Sequence, residues 1–258
     1  MPTIRAAVIL AVFLAVTMVL IPWQWLLLTL GLPARRTFPH RYHRFVARLF
    51  GIKIRVRGTP PSKATLLLAN HSSWLDIVIF SAVTPLSFVA KSEVGTWPFF
   101  GTLARLQRTV FVTRARRSET GMARDAIAQR LAEGDVLVLF PEGTSNDGNS
   151  VLPFKSALLA AADTVLDDGS PVPVQPVSTA YVARQGIPMG RENRPLYAWY
   201  GDMELVPHLW EALKAGPLDV VVQFHAPLPP MDRKELARSA WETVRKGQAA
   251  ALAGNSGI

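Results

Sequence analysis

The chain has 258 residues, enough for one α/β domain with a sizeable core and a short extra element, and too few for two ordinary domains. It contains no cysteine, which excludes thiol nucleophiles, disulfides and Cys-ligated metals. The formal charge is +9, yet residues 1–75 carry ten Lys or Arg and no Asp or Glu, while the remaining 183 residues hold 18 bases against 19 acids.

From Ala6 to Leu32 there are 27 residues without a charge, more than the roughly 20 needed to cross a hydrocarbon core. Pro22 and Gln24 interrupt the run. It reads either as one tilted span or as a helix to Ile21 that bends at Pro22 into a second short helix within one leaflet, with Trp23 and Trp25 at interfacial depth. A lone Arg5 before an apolar run imitates a secretory signal, but the run is long, and Arg35 and Arg36 follow in place of a small-residue cleavage site. The cluster Arg35, Arg36, Arg41, Arg44 and Arg48 should stay cytoplasmic by the positive-inside rule, so the body after it is expected to face the cytoplasm. A basic segment directly after an apolar one suits an anionic bilayer, at roughly 1 kcal/mol per Lys or Arg near the surface. No zinc-ligand spacing, RNA-binding aromatic signature or helix-turn-helix pattern accompanies the charge, so no nucleic acid partner is expected. The chain thus divides into a membrane anchor with a basic juxtamembrane segment, 1–48, and a body, 49–258.

Within the body, β-rich runs at Ile52–Arg57, Thr65–Ala69, Leu86–Ala90, Thr109–Thr113, Val136–Phe140, Val172–Thr179 and Leu218–His225 alternate with helical patterns. The clearest helix runs from Glu119 to Glu133, with Ser118 as N-cap, Met122, Ala126, Ile127 and Leu131 on one face, and Gly134 as its stop. Others are expected at Trp74–Val83, Lys155–Leu166 and Asp232–Leu252. This alternation predicts an α/β fold, a single mixed β-sheet with helices on both faces, preceded by a membrane-associated helix or helix pair. Residues 183–217, rich in Gly, Pro and aromatics, carry the least pattern.

Four blocks carry chemistry. In the first, LLLANHSSWLD, a strand ends at Asn70 and His71 before a helix begins near Ser72 or Ser73. A neutral imidazole suits the removal of a hydroxyl proton near pH 7, and Asp76 on the other ring nitrogen would fix the tautomer and stabilise the imidazolium. On an unbroken helix five positions would turn Asp76 about 140° away, so the pairing requires His71 to precede the helix, with Ser72 or Ser73 as N-cap. By itself the spacing is equally that of a polar cap with a surface histidine. The second block, DVLVLFPEGT, places Glu142 at a strand's C-terminal end, where open α/β sheets bind ligands; Gly143 allows close backbone approach and Thr144 offers a hydroxyl. An ordinary turn with a solvated Glu has the same composition. In the third, Lys91 to Arg114, Arg108 and Arg114 flank a β-rich run and suit phosphate or carboxylate recognition, or form a solvated basic edge. The fourth, VPVQPV at Val172–Val177, has two prolines that point to an edge strand or an extended wall of an acyl pocket.

Together, in this order and spacing, the four blocks resemble the lysophosphatidic acid acyltransferase family of glycerolipid synthesis. NHSSWLD is similar to its H-x4-D motif; Lys91, Glu93, Pro98, Gly101, Phe111 and Arg114 match its second motif, and FPEGT and VPVQPV its third and fourth. The resemblance covers about residues 50–180, with an N-terminal helix pair also similar. It implies that His71 is the general base and Asp76 its partner, and that Arg114 contacts the acceptor head group. Lys91, Glu142, Gly143 and Thr144 would belong to the substrate site. It further implies acyl carrier protein or coenzyme A as the acyl donor, no resident cofactor, no metal and no covalent acyl-enzyme. The absence of cysteine and of a G-x-S-x-G elbow agrees with direct transfer. One departure stands out: the family's third motif commonly continues with Arg, and here Ser145 and Asn146 follow. The runs DGNSVLPFKSALLAAA and YGDMELVPHLW are similar to the bacterial branch that acylates lyso-aminolipids such as lyso-ornithine lipid. That acceptor is therefore expected ahead of lysophosphatidate, at the bacterial inner membrane.

Overall fold

The uncharged N-terminal run forms one helix, α1 (Pro2–Thr29), in the computed structural model, which describes residues 2–112, 117–166 and 168–254, with backbone only for 117–120. Pro22 lies inside α1 without ending it, since its missing N–H deprives only the carbonyl of Met18 of an intrahelical partner. The chain reverses after Thr29, and α2 (Ala34–Phe50) returns along α1. Gln24 Nε2 donates to Arg35 O at 3.1 Å, Thr17 Oγ1 and the Tyr42 hydroxyl lie 2.7 Å apart, and the Phe13 and Phe50 rings meet at 5.5 Å. These pairs fix an antiparallel hairpin. On α2 the exposed positions Thr37, Arg41, Arg44 and Arg48 fall at i, i+4, i+7 and i+11, one basic stripe opposite the buried Pro39, Val46, Ala47 and Phe50.

The body contributes β1 (Ile52–Arg57), β2 (Thr65–Ala69), α3 (Leu75–Val83), β3 (Ser87–Lys91), α4 (Phe100–Leu106), β4 (Val110–Val112), α5 (Arg117–Ala132) and β5 (Val136–Leu139). There follow β6 (Val174–Arg184), β7 (Ile187–Pro188), α6 (Leu205–Ala215), β8 (Leu218–Phe224) and α7 (Arg233–Leu252). Among the described residues the strands form one sheet in the order β1-β8-β6-β2-β5-β3-β4, with β7 paired to β6. The β6–β8 and β6–β7 pairs are antiparallel and the others parallel, so the sheet is mixed. Its two faces alternate along each strand. Leu67, Ala69, Val136 and Val138 share a core with α1, α2, α3 and α6, whereas Leu66, Leu68, Leu137 and Leu139 share one with α5 and α7.

Several expectations change. The block VPVQPV leads into β6, which lies between β8 and β2 and is not an edge. Pro176 is tolerated because its nitrogen faces the spent end of β8: His225 N donates to Pro176 O at 3.0 Å, and the reciprocal bond to His225 O comes from Gln175 Nε2 at 2.8 Å. A side chain replaces the missing ladder bond. The helix expected at Lys155–Leu166 is a 3-10 helix, Ser156–Asp163. Helix α5 is already formed at Arg117, so Ser118 is not its cap. The weakly patterned 183–217 region contains α6, whose buried face is Leu209, Ala212, Leu213 and Ala215.

Candidate active site

Parallel pairing of β2 with β5 aligns Leu68 with Leu139, so the residues just past the two strand ends lie side by side. The two-residue alternation, carried past Leu67 and Ala69, points His71 to the face that α3 covers. Phe140, on that same face, stacks on the imidazole with ring centroids 4.1 Å apart and planes 18° from parallel. Asn70 points the other way along the sheet and clamps β6, with Nδ2 donating to Thr179 O at 2.9 Å and Oδ1 accepting from Thr179 N at 2.8 Å.

His71 Nδ1 lies 2.9 Å from Asp76 Oδ2. The structure therefore brings the H-x4-D pair together, and His71 does precede the helix. The device differs from the one expected: neither Ser72 nor Ser73 is the N-cap, which falls at Trp74 with no side-chain capping bond. Asp76 instead reaches back from the first turn of α3, and its Oδ2 accepts the backbone N–H groups of Ser72 (2.7 Å) and Ser73 (3.0 Å). The carboxylate thus folds the HSSW turn around itself and meets the ring. Its Oδ1 accepts the Tyr181 hydroxyl at 2.7 Å. Asp76 is fully buried. The His71 side chain is 19% exposed, and among the described residues its Nε2 has no hydrogen-bond partner. With Nδ1 donating to a carboxylate, Nε2 is the basic nitrogen.

Glu142 is buried, with both oxygens occupied. Oε1 accepts His71 N at 2.7 Å, and Oε2 accepts Asn146 Nδ2 at 2.9 Å and Leu152 N at 2.8 Å. Burial pushes its carboxyl up to about 8 against the pull of these three donors. Gly143 adopts φ 74°, the left-handed region that the turn closing Gly143 N on Phe140 O requires. Asn146 N donates to His71 O at 3.3 Å, so the backbone of His71 is held from both its N–H and its carbonyl. Thr144 is exposed, and so is Lys91 at the end of β3. Arg114 lies outside the described residues. Arg108 is engaged elsewhere: its guanidinium holds Asp135 in two bonds of 3.0 and 2.8 Å, at 11% exposure. It is a structural cation and not a free anion receptor.

Tyr181 and Asn146 were not legible as site residues. Tyr181 lies 105 positions from Asp76, and no spacing within the chain ties the two. Asn146 could have been found only as the residue standing after the FPEGT turn.

On the same face of the sheet lies an apolar cavity of about 210 Å³. It runs between α1, α2, α3, α4 and β3, with Phe13, Tyr42, Val78, Ala90, Leu103 and Ala104 in its wall. His71 does not line it, but Trp74 and Phe88 do, and Phe140 bridges the imidazole to Phe88 at 6.3 Å. The residues of VPVQPV are not among those lining it.

A family model described as Acyltransferase matches residues 53–180, a range that contains both the H-x4-D pair and Glu142. The chain is 49% identical to the lyso-ornithine lipid O-acyltransferase of Brucella abortus, over 98% of this chain and 97% of that one. It is 42% identical to the enzyme of that name from Rhizobium meliloti, over 98% and 89%. The crystal structure of the 1-acyl-sn-glycerophosphate acyltransferase of Thermotoga maritima covers the whole chain and 99% of its own, with a TM-score of 0.67 and 23% identity, so the two share a fold. An imidazole held by a buried carboxylate at the end of a parallel strand pair, on a chain this similar to its relatives over nearly its full length, identifies an enzyme: the chain belongs to the acyltransferase family.

Proposed function

We propose that the enzyme transfers a fatty acyl group from a thioester, carried by acyl carrier protein or coenzyme A, to the free hydroxyl of a lyso-aminolipid such as lyso-ornithine lipid. The mechanism rests on one observation: His71 Nδ1 is committed to Asp76, which leaves Nε2, without a partner among the described residues, as the base. The acceptor hydroxyl gives its proton to Nε2 while its oxygen attacks the thioester carbonyl; the C–O bond forms, the C–S bond breaks, and the proton passes on to the departing thiolate. Asp76 stabilises the imidazolium between these steps. The apolar cavity beside Trp74 and Phe88 accommodates the acyl chain.

Two observations favour the aminolipid. The Brucella abortus and Rhizobium meliloti relatives act, by their names, on lyso-ornithine lipid. Residue 145, where an arginine commonly stands in the resembled motif, is Ser, and Asn146 beside it is spent on Glu142 and Ser150 O. Loss of one charge-assisted contact costs a phosphate-bearing acceptor about 2 kcal/mol, and a zwitterionic one much less. The purified enzyme, given acyl carrier protein charged with a labelled acyl chain, is expected to acylate lyso-ornithine lipid well ahead of lysophosphatidate. Acylation of lysophosphatidate alone would overturn the acceptor assignment.

A membrane location is supported by α1, the one helix among the described residues long and apolar enough to cross a bilayer. Its outer face shows Val8, Val12, Met18, Val19 and Trp23 to solvent. Yet α1 is fastened to the body at both ends, by Arg5 Nη2 to Leu213 O and by Gln24 Nε2 to Leu106 O at 2.9 Å. Those anchors are 19 residues, or about 28 Å, apart along the helix, close to the thickness of a hydrocarbon core. A body that follows the helix over this length cannot stand wholly on one side of a bilayer that the helix crosses. We therefore favour α1 lying in the cytoplasmic leaflet, with the arginine stripe of α2 at the head groups.

A further inference from the structure

We propose that Tyr181 is a positioning residue of this reaction: its phenol holds the carboxylate of Asp76 in the plane that serves His71 and sets the basicity of the imidazole. The inference deepens the general-base reading and rests on it.

Asp76 is fully buried, and its two oxygens are served unequally. Oδ2 takes His71 Nδ1 and two backbone N–H groups, whereas Oδ1 has one donor among the described residues, the Tyr181 hydroxyl at 2.7 Å. Without that donor a buried anionic oxygen stands bare, and the broad torsion of a carboxyl group no longer has a fixed minimum. Phenylalanine at 181 would keep the packing and remove the hydroxyl that serves Asp76 and faces the buried Ser73 side chain. Tyr181 is itself held: it belongs to the face of β6 that carries Val177 and Thr179, Asn70 clamps the backbone of Thr179, and the buried Arg194 donates through Nε to Tyr181 O at 3.3 Å. The pairing with β8 becomes irregular just beyond, between Tyr181 and Ala183, so the strand is regular up to the residue that meets Asp76. Burial, then the charge of Asp76, push the phenol well above its ordinary value of 10, and it stays a donor throughout the working range.

A carboxylate that shares its charge with a phenol pulls less strongly on the proton at Nδ1. Removing the phenol should therefore raise the pH at which His71 titrates. At neutral pH more of the imidazole is then already protonated and cannot accept the acceptor's proton. The deficit is largest at neutral pH and shrinks as pH rises, which damage to packing would not do. The ionisable group beside the pair is Glu142, whose carboxyl feels the charge of Asp76, and His208 Nδ1 accepts from Trp74 Nε1 at 2.9 Å; neither is altered by the substitution.

The test is an NMR titration of the full-length enzyme in lipid nanodiscs with ¹³C-labelled histidine, the His71 signal being assigned by its loss in His71→Ala. In Tyr181→Phe the His71 midpoint is expected to move up by about half a pH unit or more, with the other histidines unmoved. In enzyme carrying 3-fluorotyrosine, a stronger donor, it should move down. Acyl transfer by Tyr181→Phe should fall about threefold or more near pH 7, with KM for both substrates unchanged and recovery at higher pH. A His71 midpoint identical in the wild type and Tyr181→Phe would overturn the proposal. Absence of acyl transfer by the wild type would instead defeat the functional reading, while the titration would still decide the role of Tyr181.

Discussion

Glu142 is separated from the imidazole by one peptide group, and its chemistry is that of a brace. All three contacts are made by donors, two of them backbone N–H groups, and the side chain is 1% exposed. Its carboxyl, pushed up to about 8 by burial, binds a proton more tightly in the folded chain than in the unfolded one, where a value near 4.3 applies. The sign follows: stability is greatest below pH 4.3 as far as this group is concerned, and declines as pH rises through the interval up to about 8. Urea midpoints measured across that interval should fall for the wild type and fall less steeply for Glu142→Gln; equal slopes would contradict the burial-driven shift. As a brace, Glu142→Gln should also lower kcat about tenfold with little change in KM for the acceptor, because it loosens His71 while both carboxylate oxygens already meet protein donors. At this scale the sequence was informative about His71 and Asp76, since a polar cluster at a strand end is a local feature. Tyr181 was not visible, because what brings it to Asp76 is the pairing of β6 beside β2, a contact between distant segments.

At the scale of elements, the helix hairpin is joined to the body through an ion network centred on Asp135. Arg108 and Arg130 hydrogen-bond its carboxylate, and Arg36 of α2 lies 3.3 Å away and also donates to Glu133 O. Burial pushes the Asp135 carboxyl up, but the bonds and charges of the two arginines outweigh it and hold it below the usual carboxylate range. Removing the carboxylate takes their shared acceptor from the half-buried Arg108 and Arg130, so Asp135→Ala should cost about 2 kcal/mol in a chemical denaturation experiment. A change under 1 kcal/mol would mean that the network is not a joint. The cavity belongs to this scale as well, because α1, α2, α3, α4 and β3 each supply a wall. Ala104→Trp should narrow it and shift donor preference to shorter chains, with kcat/KM for a long acyl donor falling tenfold or more while a short donor is used normally. Strands were legible wherever apolar runs were bounded by turn residues: β1 and β2 fall where the pattern placed them. The prolines of VPVQPV misled, because a rule about ladder hydrogen bonds cannot foresee that Gln175 supplies the donor missing at Pro176. Helix α6 was hidden by the Gly and Pro around it, although its buried face is regular.

For the whole molecule, charge and hydropathy bear on the proposed placement at a bilayer. The basic excess of residues 1–75 collects on α2 and β1, next to the apolar outer face of α1, and the catalytic end of the sheet shares a core with that hairpin. A helix lying in one leaflet keeps both its ends on the cytoplasmic side, whereas a span would put its N-terminus outside. The chain has no native cysteine, so Thr3→Cys gives a single reporter. An impermeant maleimide applied to intact cells should leave it unlabelled until the membrane is permeabilised; labelling in intact cells would establish a span.

In the proposed reaction one imidazole, oriented by Asp76, removes the acceptor's proton. Its most direct test is the rate of acyl transfer to lyso-ornithine lipid by the wild type and by His71→Ala, with folding of the variant verified by its denaturation midpoint. A fall in kcat of about 10²-fold or more at unchanged stability is expected. A His71→Ala enzyme that transfers acyl groups at the wild-type rate would contradict it.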